Sequence, residues 1–174
     1  MAIRNQLPKF NPAGLDEFLE MEKAQTNAKA TEIIRRVEIM LQTLVMDELE
    51  REYGKEEAGW WVMGVPKSVR LKVTEAYEKD DGKRGGKKYY FDFIDYKKIA
   101  SENWHLFESF LAYDKKGNKD KRTAWLDWLN EKRNLVFHSS SGFSVPLDVL
   151  NQLQDYENWL SLQIATDNSS GTAG

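Results

Sequence analysis

The chain has 174 residues, 41% of them hydrophobic and 12% aromatic, with two histidines and no cysteine. That length suits one domain burying roughly two-thirds of its unfolded surface, and the lack of cysteine excludes disulfides, thiol catalysis and cysteine-ligated zinc. A net charge of −3, from 25 basic and 28 acidic residues, argues against a general nucleic-acid coat, so any RNA contact must be a local positive groove.

Residues 1–10 carry charges and Pro8 but no apolar core of a secretory signal, and are expected to be an N-terminal extension. No run of about 18 apolar residues occurs, so no membrane span is expected, and the absence of cysteine is compatible with the cytoplasmic setting expected here. Residues 11–166 read as a single helical domain. Asn11 and Pro12 open its first element, with Asn as N-cap and Pro at the first helical position. Leu15, Phe18 and Leu19 then recur at helical spacing. Around 25–31 the apolar signal fades, which fits a break, a kink or a thin stretch of one long helix. From Thr31 the pattern is strong through Ile33, Ile34, Val37, Leu41, Leu44, Val45 and Leu49, closing at Tyr53 with Gly54 as C-cap.

Trp60 to Pro66 form a compact apolar corner, and Pro66 starts a helix through Val69, Val73 and Tyr77. Residues 79–88 are a charged, glycine-rich loop. Its basic half suits phosphate contacts, although a solvated connector is the more ordinary use. Residues 89–94 suggest an extended aromatic run, followed by one helix carrying Ile99, Trp104, Phe107, Phe110 and Leu111. A charged linker at 114–122 precedes a further helix from Trp125. Pro146 opens the last one, with Val149, Leu150, Leu153, Tyr156, Trp159, Leu160 and Ile164, and residues 167–174 read as a disordered tail. With few strand signals and no repeat, the fold expected is all-α, an antiparallel bundle of five to six helices.

The helix from Trp125 holds the chemistry. At about 100° per residue, Trp125, Leu126, Trp128, Leu129, Leu135, Val136 and Phe137 share one broad arc, while Asp127, Asn130, Asn134 and His138 lie opposite. Arg133 falls inside the apolar arc. A charge there must reach a carboxylate, a substrate phosphate or the rim of a subunit interface. Glu38 is a candidate partner, or equally a surface carboxylate on the long helix. Histidine titrates near neutral pH and suits proton transfer; arginine offers a permanent, forked charge suited to phosphate. A purely structural use of the same residues is an internal salt bridge for Arg133 and a helix-end position for His138.

Arg133, Asn134 and His138 form the pattern R-N-x-x-x-H, which resembles the active-site signature of HEPN-type ribonucleases. The resemblance is strongest to HEPN domains appended to PIN-type endoribonucleases and to their stand-alone bacterial relatives. It also draws on residues 37–41, the corner Tyr53-Gly54, Trp60-Trp61 and Val65-Pro66, and the run 91–96 with Trp104 and Phe107. It implies a metal-independent endoribonuclease acting on RNA as a homodimer, with Arg133, Asn134 and His138 as catalytic residues and no cofactor. It further implies a toxin or phage-defence setting, with an antitoxin or regulatory protein as a possible partner. The alternative it leaves is a silent HEPN module that binds RNA or protein. Some toxins in the family carry a modifiable tyrosine two residues after the histidine; here that place holds Ser140.

Other chemistry is thinner. His105 is a lone histidine on a helix, and two histidines without cysteine make zinc improbable. Asp92 with Asp95, or Asp80 with Asp81, has ligand types that magnesium accepts, yet such loop pairs are usually just solvated.

Overall fold

The computed structural model describes residues 12–138 and 144–170, with side chains described as far as Phe137 and Asp167. Asn11 and the serines at 139 and 140 lie outside them, as do residues 171–174 of the expected tail. Among the described residues the chain is all-helical, a bundle without strands. It has seven α-helices: α1 (Leu15–Tyr53), α2 (Lys67–Lys79), α3 (Phe93–Glu102), α4 (Trp104–Leu111), the single turn α5 (Lys119–Arg122), α6 (Ala124–His138) and α7 (Leu147–Ser170). A π-helix at Glu57–Gly64 and a 3-10 turn at Lys87–Tyr90 join the first three. None of these helices is long and apolar enough to cross a membrane.

The axis of the bundle is α1, whose 39 residues span about 58 Å. It begins three residues later than Pro12 at N1 would require, and its N-cap is Gly14 at φ 86° rather than Asn11. The stretch where the apolar signal fades is continuous helix. Ala24, Ala28 and Ala30 favour that conformation, and Thr26 and Thr31 turn their hydroxyls back to the carbonyls of Glu22 and Asn27 at 2.9 Å. Burial begins at Ala30 and then follows the i, i+3, i+4, i+7 rhythm through Ile34, Val37, Leu41, Val45 and Leu49. Gly54 ends the helix at φ 92°, its N–H donating to Glu50 O, as its place after Tyr53 predicts.

The end helices α1 and α7 run parallel. Asn27 Oδ1 accepts the N–H of Val145 at 2.8 Å, Arg36 pairs with Glu157, and Leu44 and Ile164 line one cleft, so positions advance together. By contrast α6 runs against α7: Trp125 near its start meets the rings of Tyr156 and Trp159 at 5.5 and 5.3 Å, and Val136 near its end shares a cleft with Val145 and Val149. The bundle is therefore mixed in direction, not antiparallel throughout.

Three local expectations are corrected. Instead of an extended run at 89–94, a 3-10 turn ends at Tyr90, and only Phe91 and Asp92 have extended dihedrals before α3 starts. The single helix expected across Ile99 and Phe107 is two, parted at Asn103 (φ −112°, ψ 43°). Its buried side chain donates to Ile99 O and Gly64 O, each at 2.8 Å, and accepts from Tyr53 Oη at 2.7 Å. Those three bonds satisfy the break from inside the core. Finally, α7 continues to Ser170 and absorbs the start of the expected tail. Partly buried Ile164 packs on the core, and Thr166 Oγ1 donates to Leu162 O at 2.8 Å.

Candidate functional site

On α6 the residues Trp125, Leu126 and Leu129 are buried, with Trp128 and Val136 packed at the margin. The arc expected from 100° stepping is thus real over the first two turns. It fails in the last turn, where Leu135 is 41% and Phe137 53% exposed. Both lie beyond Leu129, the last fully buried layer of this helix, and Leu135 also sits at the edge of the arc.

Arg133 occupies the boundary. Its side chain is 36% exposed, and Nε lies 2.7 Å from Oε1 of Glu38 on α1. The buried N–H is not aimed at that oxygen, so the contact is a charge pair rather than an aligned hydrogen bond. The guanidinium carbon is also 5.7 Å from the centre of the Phe137 ring, within cation–π range. Of the partners open to Arg133 from sequence, a carboxylate is the one found, and Glu38 is paired rather than a free surface group. Asn134 is exposed on the next position. The backbone of His138 closes the same helix one turn later, and its side chain lies outside the described residues.

Glu38 faces further charge. Burial pushes its carboxyl above the ordinary value, Arg133 pulls the other way, and the charge of Asp92 adds to the upward push. Asp92 and Asp95 stand at the start of α3 as a reciprocal capping box: Asp92 Oδ1 accepts from Asp95 N and Asp95 Oδ2 from Asp92 N, both at 3.0 Å. Lys72 of α2 bonds both carboxylates, reaching Asp95 Oδ2 at 2.7 Å. Burial raises the wholly buried Asp95, whereas for Asp92 it is outweighed by Lys72 and the Asp95 N–H, which hold it low. The acidic pair considered for magnesium is therefore occupied by an ammonium and two amides. Asp80 is engaged too, accepting from Tyr90 and pairing with Arg84. His105 is exposed on α4, and among the described residues no group of three or more acidic or histidine side chains is placed to hold a metal.

The raised Glu38 gives a pH signature. Its folded pKa stands above its free value near 4.5, so the stability it contributes is complete below that value and is lost as pH rises through the folded pKa. Glu38→Gln should match the wild type in urea unfolding at low pH. It should become the more stable of the two, by about 1 kcal/mol or less, as pH climbs through and above the usual carboxylate range. Parallel stability profiles for the two proteins would contradict this.

Two features had no clear signal in the sequence. One is the π-helix, which packs so tightly onto the end of α1 that a Cβ on Gly59 would overlap the carbonyl oxygen of Tyr53. The other is the Lys72 clamp, which brings α2 to the capping box of α3. Searches against family models, curated proteins and solved structures find no match for this chain.

Proposed function

We propose that the chain is a HEPN-type, metal-independent endoribonuclease that works as a homodimer on RNA. The observation that carries this is Arg133: a permanently charged fork held at the surface of α6 by Glu38, beside exposed Asn134. The histidine of the signature follows Asn134 by four residues, about 6 Å away on a helix. In this reading His138 takes the proton of the ribose 2′-hydroxyl, and the 2′-oxygen attacks the adjacent phosphorus. Arg133 meets the negative charge that builds on the phosphoryl oxygens, usually the largest single contribution. Asn134 orients the phosphate or His138. The 5′-oxygen leaves and collects a proton, so the fragments carry a 2′,3′-cyclic phosphate and a 5′-hydroxyl. A toxin or phage-defence role, restrained by an antitoxin or regulatory protein, goes with this reading.

The exposed apolar side chains of Leu135 and Phe137, next to Arg133, support the dimer, since solvent is a poor neighbour for both. Sedimentation at tens of micromolar should give twice the 20.2 kDa chain mass, and Phe137→Asp should shift it toward monomer. A wild-type monomer would remove the dimer from the proposal. Cleavage of a generic RNA should persist in EDTA. Loss of cutting in EDTA, with recovery on adding Mg²⁺, would instead implicate metal chemistry.

A second reading is a silent module that binds RNA or protein. The Glu38 contact favours it, because a structural arginine makes the same ion pair. Wild-type protein that binds RNA but leaves it uncut, with or without metal, would decide for that reading.

A further inference from the structure

The glycine-rich loop and the apolar corner, unconnected in sequence, meet in one place. A cleft of about 470 Å³ opens there, lined by Lys55, Glu57, Trp60, Tyr77, Gly86 and Lys87. Its walls come from different elements: Lys55 follows α1, Glu57 and Trp60 belong to the π-helix, Tyr77 to α2, and Gly86 and Lys87 to the loop and its 3-10 turn.

Each wall is fixed. Trp60 N donates to Gly54 O at 3.2 Å, and its ring meets Trp61 edge-on at 5.6 Å between centres. Tyr77 is pinned by the Tyr90 ring at 5.5 Å and by Gly82, which has no room for a side chain against it: a Cβ there would come within 2.6 Å of Tyr77 Cζ. Space remains in front of Gly86, where a Cβ would meet nothing within 4 Å. Lys87 is held by Glu57 and lies 4.9 Å from the centre of the Trp61 ring. Lys55 has no ion-pair partner among the described residues.

Two aromatic side chains, a glycine that lets a ligand approach the backbone, and two ammonium groups, that of Lys87 paired with the carboxylate of Glu57 and that of Lys55 unpaired among the described residues, make a mixed pocket. Aromatic faces accept any base by stacking, and lysines supply point charges for phosphate. The volume is in the range of small-ligand sites, and π-helical turns concentrate at functional positions. On a chain of net charge −3, residues 79–88 carry five cations against two acids; Lys79, Arg84 and Lys87 are paired with carboxylates, and the remaining excess of positive charge attracts anions locally.

We infer that this cleft is a nucleotide-binding site, taking a base against Trp60 and Tyr77 and its phosphate on Lys55 and Lys87. It is not the Arg133 site. Its Lys55 wall adjoins Tyr53, fifteen residues and ~22 Å along α1 from Glu38, the partner of Arg133. Its Lys87 wall is nearer, since Lys88 O accepts from Gln42 Nε2 at 3.1 Å, yet Glu38, Asn134 and Arg133 do not line the cleft. The same chemistry is offered by a free nucleoside monophosphate and by an unpaired nucleotide of an RNA strand.

Calorimetric titration of the full chain with adenosine 5′-monophosphate, and separately with a short oligoadenylate, tests this and distinguishes the two sources. The expected result is binding that weakens about tenfold or more in Trp60→Leu and in Lys55→Glu, and stays unchanged in His105→Ala, a variant of an exposed residue on α4. Binding of the monophosphate assigns the site to free nucleotides. Binding of the oligonucleotide alone, with the same dependence on Lys55, assigns it to an RNA strand. Lys55 is exposed, so its variant decides should Trp60→Leu fail to fold. No binding of either probe at about 1 mM, or binding indifferent to Lys55→Glu, overturns the inference. Since no cleavage is read, the result stands apart from the nuclease proposal.

Discussion

His138→Ala is expected to lower RNA cleavage about 10²–10⁴-fold, the usual cost of removing a general base. Arg133→Ala should cost about 10²–10³-fold, as when one charge-stabilising donor is lost. The two differ in what else they disturb. His138 ends α6, so its replacement should leave the helical spectrum and the sedimentation coefficient unchanged. Arg133 pairs with Glu38 and lies against Phe137, so its removal strands a half-buried carboxylate whose burial already pushes its pKa up. Part of its effect should therefore appear as a change in stability or association. Arg133→Lys keeps the charge but not the fork, and should recover the fold more than the activity. Asn134 is exposed, and Asn134→Ala should fall between, since water can replace part of an orienting amide. His105→Ala on α4 should cut RNA as the wild type does. Wild-type cleavage by His138→Ala, in a preparation free of other nucleases, would end the catalytic assignment.

Asn103→Ala is expected to be the most damaging polar substitution for stability, costing about 2–4 kcal/mol and lowering Tm by roughly 5–12 °C. One side chain, only 4% exposed, serves the end of α1 through Tyr53, the end of the π-helix through Gly64 O, and the last turn of α3 through Ile99 O. Alanine leaves the Tyr53 hydroxyl and the Gly64 carbonyl without this partner in the interior, where an unmet polar group costs most. Urea unfolding measures it directly. Asn134→Ala is the control and should stay within about 0.5 kcal/mol of wild type; equal stability of the two variants would refute the role given to Asn103.

The same residue explains part of what sequence reading missed. Ile99, Phe107 and Leu111 keep a helical rhythm across Asn103, and only its tertiary partners reveal the break. Asp92 and Asp95 were misleading in another way, since two acids three apart suit a metal on paper and a capping box in the fold. The deciding group, Lys72, is twenty residues away. Features with local causes were legible: Gly54 stops α1, Pro66 and Pro146 precede α2 and α7, and tryptophans at 125 and 128 mark the buried face of α6. Arg133 was legible as an anomaly on an apolar arc, and its contact with Glu38 resolves that anomaly without a second subunit. The π-helix had no such signal, because its geometry follows from how Gly59 seats against Tyr53.

The central claim concerns bond chemistry, and the ends of the RNA fragments report it most directly. Wild-type protein incubated with RNA in EDTA should yield 2′,3′-cyclic phosphate and 5′-hydroxyl ends, and His138→Ala, prepared identically, should yield about 10²-fold fewer. Fragments with 3′-hydroxyl and 5′-phosphate ends, or none until Mg²⁺ is added, would contradict attack by the 2′-hydroxyl at a site built from Arg133, Asn134 and His138.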